Sequence, residues 1–142
     1  MANIIPFAFR GELLSGTHDF ANGGNSFKIA LYTSFAAYST SSTVYLTTNE
    51  VSASNTGYTT GGKVLAGQAV VSTGAVATVD FTDSTLTSAT FTANSAAIYN
   101  DTNSDKLCVV LDFGGNKTAT NGTFTISFPN PSTPANAIIS MA

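Results

Sequence analysis

Charged side chains are scarce in this 142-residue chain. Asp, Glu, Lys and Arg make up 9% of it, the formal net charge is −3, and the five cations are scattered along the sequence. Nucleic-acid binders concentrate Lys and Arg on one surface to contact phosphates, so we expect no nucleic-acid partner. Long surface helices also need Glu, Lys and Arg, and this composition does not favour them.

The chain has one histidine, His18, and one cysteine, Cys108. A His- or Cys-based metal site needs more ligands than these. Nucleophilic catalysis needs a base beside the nucleophile and a group that orients the base. His18 could pair with Asp19, but the sequence shows no third member, and Cys108 lies in an apolar run typical of a buried strand. We therefore expect no enzyme activity, no metal and no cofactor.

Long hydrophobic runs are also absent. No stretch approaches the roughly 18 apolar residues of a membrane helix. Arg10 and Glu12 interrupt the N-terminal stretch where a signal peptide needs an unbroken apolar segment. The sequence therefore predicts no membrane partner and a protein made in a cytoplasm.

Thr, Ser, Asn, Gly and Ala take the place of the missing charge, and 43% hydrophobic with 11% aromatic residues are ample for a core. Thr fits pleated strands, and Asn, Gly and Ser fit tight turns. We predict one all-β domain over residues 1–142, a single antiparallel β-sandwich of jelly-roll-like form. The expected later strands are residues 64–72, 75–81, 89–93, 96–100, 107–113, 123–128 and 137–141.

The first half of the chain is patterned differently. Residues 7–14 have helical spacing within an N-terminal arm of about residues 1–15. A Gly-rich turn at 21–26 before the alternating run 27–33 predicts a hairpin. Residues 34–62 have little periodicity and predict a long, ordered surface loop.

Two glycine- and acid-rich patterns are interpreted as turns. Asp101, Asn103, Asp105 and Asp112 match positions of a calcium loop, but Lys106 stands where that loop needs glycine, so residues 100–105 predict a hairpin turn. The glycine pairs at 23–24, 61–62 and 114–115 lack the features of a phosphate-binding loop and are also expected to be turns.

Tyrosines concentrate around the 34–62 loop. Two interpretations stay open: the rings form a sugar-binding platform, or they pin the loop to the sandwich. The five are Tyr32, Tyr38, Tyr45, Tyr58 and Tyr99.

Several short strings occur in order along nearly the whole chain. They are Phe9 with LLSG at 13–16, KIALYTS at 28–34, TNEV at 48–51, GYTTGG at 57–62, DF at 80–81, AIYN at 97–100, VLDFG at 110–114 and FTI at 124–126. Together they resemble a group of small virion structural proteins of tailed bacteriophages. The resemblance implies a capsid decoration or cement protein on the exterior of the head, bound to the major capsid protein, often as a homotrimer, and made in the host cytoplasm. It offers no catalytic residue.

Two surfaces are candidates for partner contact. One is the apolar arm, and the other is the loop; the alternative is that the arm closes the bottom of the sandwich. The residues concerned are Ile4, Ile5, Phe7, Phe9, Tyr38, Tyr45 and Tyr58. Competing functions are a tail or adaptor protein, a fibre-tip module that recognises host glycans through Tyr- and Asn-rich loops, and a bacterial surface β-sandwich.

Overall fold

The computed structural model describes residues 3–142, and its secondary structure is mostly β. Helix α1 spans Phe7–Leu14, where the sequence predicts it. The strands follow in chain order: β1 Phe27–Tyr32, β2 Lys63–Val64, β3 Ala69–Thr73, β4 Val76–Asp80, β5 Ser84–Asn100, β6 Lys106–Ile126 and β7 Ile139–Met141. A short 3-10 helix, Pro134–Asn136, precedes β7. Helix α1, the α-helix of the described chain, has eight residues and is too short to cross a bilayer.

The strands form two antiparallel sheets, which confirms the all-β, sandwich-like prediction. One sheet has the order β2-β1-β5-β6 and the other the order β3-β4-β7. The main core draws on both sheets and contains a group of stacked or edge-to-face aromatic rings. Phe20 stacks on Phe27 with 4.3 Å between ring centroids, and the edge of Phe81 meets both rings. Burial of such rings supplies much of the hydrophobic stabilisation of the fold.

The central part of the four-stranded sheet, around β1, is buried on both faces. Its second face carries a separate cluster of buried side chains, to which the 34–62 loop contributes Phe35 and Tyr38 and the arm adds Ile4. As a result, five of the six residues of β1 are fully buried rather than every second one. The loop thus acts as a third layer over the sheet, in the way helices cover the faces of parallel sheets.

Two pairs of predicted strands are each one continuous strand. The runs 89–93 and 96–100 both belong to β5, and the runs 107–113 and 123–128 fall largely within β6. The pair Gly114–Gly115, expected as a turn, lies in a bulge: Ser95 pairs with Asp112 and Ala93 with Lys117, so residues 113–116 of β6 oppose the single residue 94. A bulge absorbs extra residues and bends the strand without ending it.

The hairpin predicted around the turn at 21–26 does not form. β1 pairs with β2 and β5, and residues 18–20 before the turn are not a strand. Side chains close this loop locally instead: Asp19 Oδ1 accepts from the Ala21 N–H at 2.9 Å, and Asn25 Oδ1 accepts from the Asp19 N–H at 2.8 Å. Asp and Asn commonly capture nearby backbone donors in this way.

The connection between β5 and β6 is the turn that the sequence predicts at residues 100–105. Asn100 Oδ1 accepts from the backbone N–H groups of Thr102 and Asn103, each at 3.1 Å. The acidic residues of the calcium-like pattern therefore flank an Asx-type turn. Across residues 3–142, no three His, Cys, Asp or Glu side chains converge on a point that could hold a metal ion.

Candidate partner-binding surface

The four apolar arm residues have different environments. Ile4 exchanges two backbone hydrogen bonds with Val110 of β6, at 2.8 and 2.9 Å. Ile5 is half-buried against the main core, and Phe9 is a core residue. Phe7 is 60% exposed. The arm therefore packs on the sandwich, with Ile4 at the edge of β6 and Ile5 and Phe9 against the main core, and among these four Phe7 presents the largest apolar surface to solvent.

The three predicted contact tyrosines of the loop are anchored inward. Tyr38 and Tyr58 are buried, and Tyr45 is half-buried with its ring stacked on Tyr99 at 4.6 Å. Tyr38 Oη lies 2.8 Å from Tyr32 Oη and accepts from the Leu46 N–H at 2.9 Å. These contacts support the interpretation that the tyrosines pin the loop, since none of these rings forms an exposed platform.

Glu50 holds two of the tyrosines in place by hydrogen bonds, a role that was not predicted from the sequence. Its carboxylate accepts hydrogen bonds from Tyr45 Oη at 2.5 Å, Tyr58 Oη at 2.6 Å and the Gly61 N–H at 2.7 Å. Burial and this bond to the carboxylate raise the pKa of Tyr45 and of Tyr58 well above that of a free tyrosine. A signal was present in the sequence, because Glu50 is the one charged residue between positions 34 and 62.

A second buried polar cluster joins α1 to the sheet. His18 does not pair with Asp19; its Nε2 lies 2.9 Å from Glu12 Oε2, and its Nδ1 lies 3.1 Å from Asn100 Nδ2. Because an amide nitrogen only donates, Nδ1 accepts and the proton of the neutral ring is on Nε2, pointing at Glu12. Lys106 Nζ donates to Glu12 Oε1 at 2.6 Å.

Cys108 completes this cluster, with Sγ 3.7 Å from His18 Nδ1. Cys108, His18 and Glu12 are distant in sequence, so their contact was not predicted; the three have the composition of a catalytic triad. The thiol is fully buried, and burial raises its pKa far above the ordinary value, so it stays protonated. The cluster is a structural junction between α1, β5 and β6.

Replacing Glu12 with glutamine is expected to lower the free energy of unfolding by about 1–2 kcal/mol, because it removes a charge-assisted bond to Lys106 in a partly buried site. A matched control is Asp101→Asn, which breaks the more exposed Lys28–Asp101 pair and should cost at most about 0.5 kcal/mol. Urea unfolding at neutral pH measures both. Equal losses would contradict the assignment of Glu12 to a structural junction.

The Glu12 carboxylate should also make the stability of the fold sensitive to acid. Burial by itself raises the pKa of Glu12, but the hydrogen bonds from Lys106 and His18 outweigh it and leave the pKa below the ordinary 4.5. A lowered pKa in the folded state stabilises the fold above pH 4.5, and this stabilisation is lost as the pH falls through the folded-state pKa. Stability profiles from pH 7 downward should therefore fall less steeply for Glu12→Gln than for the wild type.

Exposed apolar side chains cluster around α1 and the small sheet. We call this surface the apolar face and define it by the exposed Phe7 and Leu14 of α1, Val70 of β3 and Met141 of β7, with the half-buried Leu13 and the buried Ile139 in the walls of its grooves. Leu14 is 82% exposed, Val70 53% and Met141 48%. Phe7 and Leu14 are seven residues apart and so lie on the same side of the helix.

Two grooves connect the residues of the apolar face other than Phe7. One, of about 340 Å³, lies between α1 and β7, and the other, of about 220 Å³, lies between α1, β4 and β7. They share Leu13, Ile139 and Met141 in their walls, so the surface is continuous from the helix to the small sheet. Arg10 borders the first groove, with its guanidinium 5.9 Å from the centre of the Phe7 ring. Contiguous apolar surface bordered by a polar rim is typical of a protein-binding site.

No protein-family model, curated protein or solved structure matches this chain. Its function must therefore be argued from its own surface. The apolar face is the candidate site that the geometry favours.

Proposed function

We propose that this chain is a structural protein of a tailed-phage virion, a capsid decoration or cement protein that binds the major capsid protein on the outside of the head. The observation that carries the proposal is the apolar face, whose helix, small sheet and grooves form one uninterrupted surface. The short strings that resemble phage virion proteins supply the identity of the partner.

A cement protein works by burying surface across the seam between capsid subunits. Separating the subunits then also requires breaking the clamp's own interface, which stabilises the assembled state by mass action. The apolar face suits this role because the residues that define it are uncharged, and Arg10 and Asp19 are the charged residues that line its two grooves. Interfaces commonly combine an apolar core with a polar rim in this way.

Binding to phage heads stripped of this protein is expected to weaken at least tenfold when Leu14 is replaced by aspartate. The substitution places a charge in the apolar face at a site so exposed that the fold should tolerate it. Val64→Asp is the matched control, because Val64 is 53% exposed on β2 and lies outside the face. Co-sedimentation with the heads over a range of concentrations measures both, and equal weakening by the two variants would contradict the proposed site.

The copy number in purified particles tests the identity of the partner. Isotope-dilution mass spectrometry of intact virions should give hundreds of copies, at a simple ratio to the major capsid protein. A dozen or so copies would assign the chain to the tail. Absence from particles would remove the virion proposal altogether.

A further inference from the structure

The outer edge of β6 is paired along only one half. Near the turn, the chain's own segments cover this edge: Ile4 bridges to Val110, and Val44 bridges to Lys106. Beyond the bulge at residues 113–116, β6 pairs with β5 on one side and has no strand on the other. The described chain therefore leaves an open edge from about Lys117 onward.

The direction of the backbone groups along this edge follows from two hydrogen bonds. The Thr90 N–H of β5 points away from β6 to the carbonyl oxygen of Thr56. The Asn121 N–H of β6 points back toward β5, to Thr90 Oγ1. N–H and C=O groups alternate sides along a regular strand, so Thr92 and its partner Thr118 each point away from the other strand, and Ala119 points toward β5. The register shifts between Ala119 and Gly122, where Asn121 has a φ of 48°, but the groups of Thr120 still point away from β5, because they lie opposite the Ala119 C=O and the Asn121 N–H across planar peptides. Outside the β5–β6 ladder, no backbone group of residues 3–142 accepts from the N–H of Thr118 or Thr120.

The paired side chains confirm this register. Thr92 is opposite Thr118, and their hydroxyl oxygens are 2.8 Å apart, as expected for a non-hydrogen-bonded pair, in which side chains approach most closely. A cleft of about 390 Å³ lies alongside the edge, with Phe113, Phe124 and Ile126 among its walls. An added strand would find backbone partners at the edge and, beside it, a cleft lined by both apolar and hydroxyl side chains.

Strand β3 has a matching open edge on the small sheet. It pairs with β4 on one side, and the two-residue connection after Thr73 places Thr73 opposite Val76. In a two-residue hairpin the pair flanking the loop is hydrogen-bonded, so the backbone groups of Val70 and Ser72 point outward. In the described structure, these outward groups also have no backbone partner.

We propose that β3 of a second copy of this chain adds to the outer edge of β6, beyond the bulge. Each edge offers two outward-facing residues, Thr118 and Thr120 on β6 and Val70 and Ser72 on β3, in stretches of similar length. β3 has none of the Lys, Pro or bulges that keep edge strands from pairing. On β6, Lys117 is the one charge between the bulge and Asn121, and the stretch ends at a second register shift between Ala119 and Gly122. Strand addition of this kind obtains affinity from main-chain hydrogen bonds.

The contact joins two different edges, so it is heterologous. A heterologous contact continues from copy to copy and closes into a ring if the rotation permits. The proposal deepens the proposed function by describing how copies would meet on a capsid, but it can be tested without capsids. If the chain forms the oligomer but does not bind phage heads, the edge pairing is supported and the proposed function is contradicted.

Proline substitutions test the contact, because proline removes the backbone N–H donor and is tolerated at strand edges. By light scattering, the wild type is expected to have a solution mass of at least twice the 14.6 kDa of one chain. Thr120→Pro and Ser72→Pro should each be monomeric. Thr120→Val is the matched control and should stay oligomeric, since it retains the N–H group. Circular dichroism and melting temperatures check folding. If a proline variant does not fold, Thr120→Lys or Ser72→Lys replaces it, because a charged lysine on an edge strand also disfavours pairing.

A mixture of the two proline variants separates this pairing from others. Thr120→Pro retains an intact β3 edge and Ser72→Pro retains an intact β6 edge, so an equimolar mixture should give a dimer and nothing larger. A monomeric wild type at its highest soluble concentration would overturn the proposal. An oligomeric Ser72→Pro beside a monomeric Thr120→Pro would also overturn it, since β6 would then pair with something other than β3.

Discussion

Replacing Gly62 with alanine is expected to lower the free energy of unfolding by about 3–5 kcal/mol. Gly62 has a positive φ of 80°, and an added Cβ would lie 2.0 Å from the carbonyl oxygen of Ile29 and 2.6 Å from its carbonyl carbon. Ile29 is in the buried strand β1, paired with β2 and β5, and cannot retreat without shifting the sheet. The left-handed backbone alone costs about 1–2 kcal/mol, and the overlap adds more.

The neighbouring residue provides the control. Gly61 has a φ of 90°, but an added Cβ there would be 3.5 Å from Tyr99 Oη, an ordinary contact. Gly61→Ala should therefore lower the free energy of unfolding only by the cost of the left-handed backbone, about 1–2 kcal/mol. Urea unfolding of both variants separates the overlap from the conformational strain, and equal losses would show that β2 does not press against β1 in solution.

The predictable parts of the fold are those with local signals. Helix α1 follows from the helical spacing of Phe9, Leu13 and Leu14 before Ser15–Gly16, and the turn at 100–105 follows from its Asn- and Asp-rich sequence. The composition, rich in Thr and poor in charge, was enough to predict a sandwich-like, all-β chain. These features depend on neighbours in sequence, so they can be identified without a structure.

The parts that were missed depend on contacts between distant segments. Gly114–Gly115 looks like a turn, but pairing with β5 continues on both sides and turns it into a bulge. The hairpin expected before β1 fails because β1 finds better partners in β2 and β5, far along the chain. The double burial of β1 arises from the 34–62 loop, whose sequence has no strand period. Tertiary pairing overrides local turn signals in each case.

The candidate site was predictable only in part. Phe7 was among the expected contact residues and is exposed on α1. The other residues of the face include Leu14 on the same helix, but also residues of β3 and β7, which are distant in sequence. An exposed Leu14 cannot be distinguished from a core leucine by sequence, because both fit an apolar helix position. Sequence alone also left both interpretations of the tyrosines open, because their inward orientation depends on Glu50 and on the neighbouring sheet.

Replacing Glu50 with alanine is expected to lower the free energy of unfolding by about 3–5 kcal/mol. The carboxylate accepts three hydrogen bonds, from Tyr45, Tyr58 and the Gly61 N–H, and alanine would leave these donors without an acceptor in a largely buried site. Tyr45→Phe removes one of the three bonds and should cost only about 1–2 kcal/mol. Glu50→Gln preserves the shape and one acceptor oxygen and should fall between them. Denaturant unfolding ranks the three variants, and hydrogen exchange should show the greatest loss of protection in the 34–62 loop.

The same network predicts an alkaline limit to stability that depends on Glu50. Burial and the bond to the Glu50 carboxylate hold the pKa of Tyr45 and of Tyr58 above the ordinary value of 10.0 in the folded chain. Above pH 10.0 the unfolded chain releases its phenolic protons before the folded chain does. The raised pKa therefore stabilises the fold fully below pH 10.0, and this stabilisation is lost as the pH rises further. Without the carboxylate, the pKa of both tyrosines should fall toward the ordinary value, so Glu50→Ala should lose stability less steeply above pH 10. Absorbance titration of the tyrosinates alongside unfolding measures both effects, and identical alkaline slopes for Glu50→Ala and the wild type would show that Glu50 does not hold the loop to the sheet.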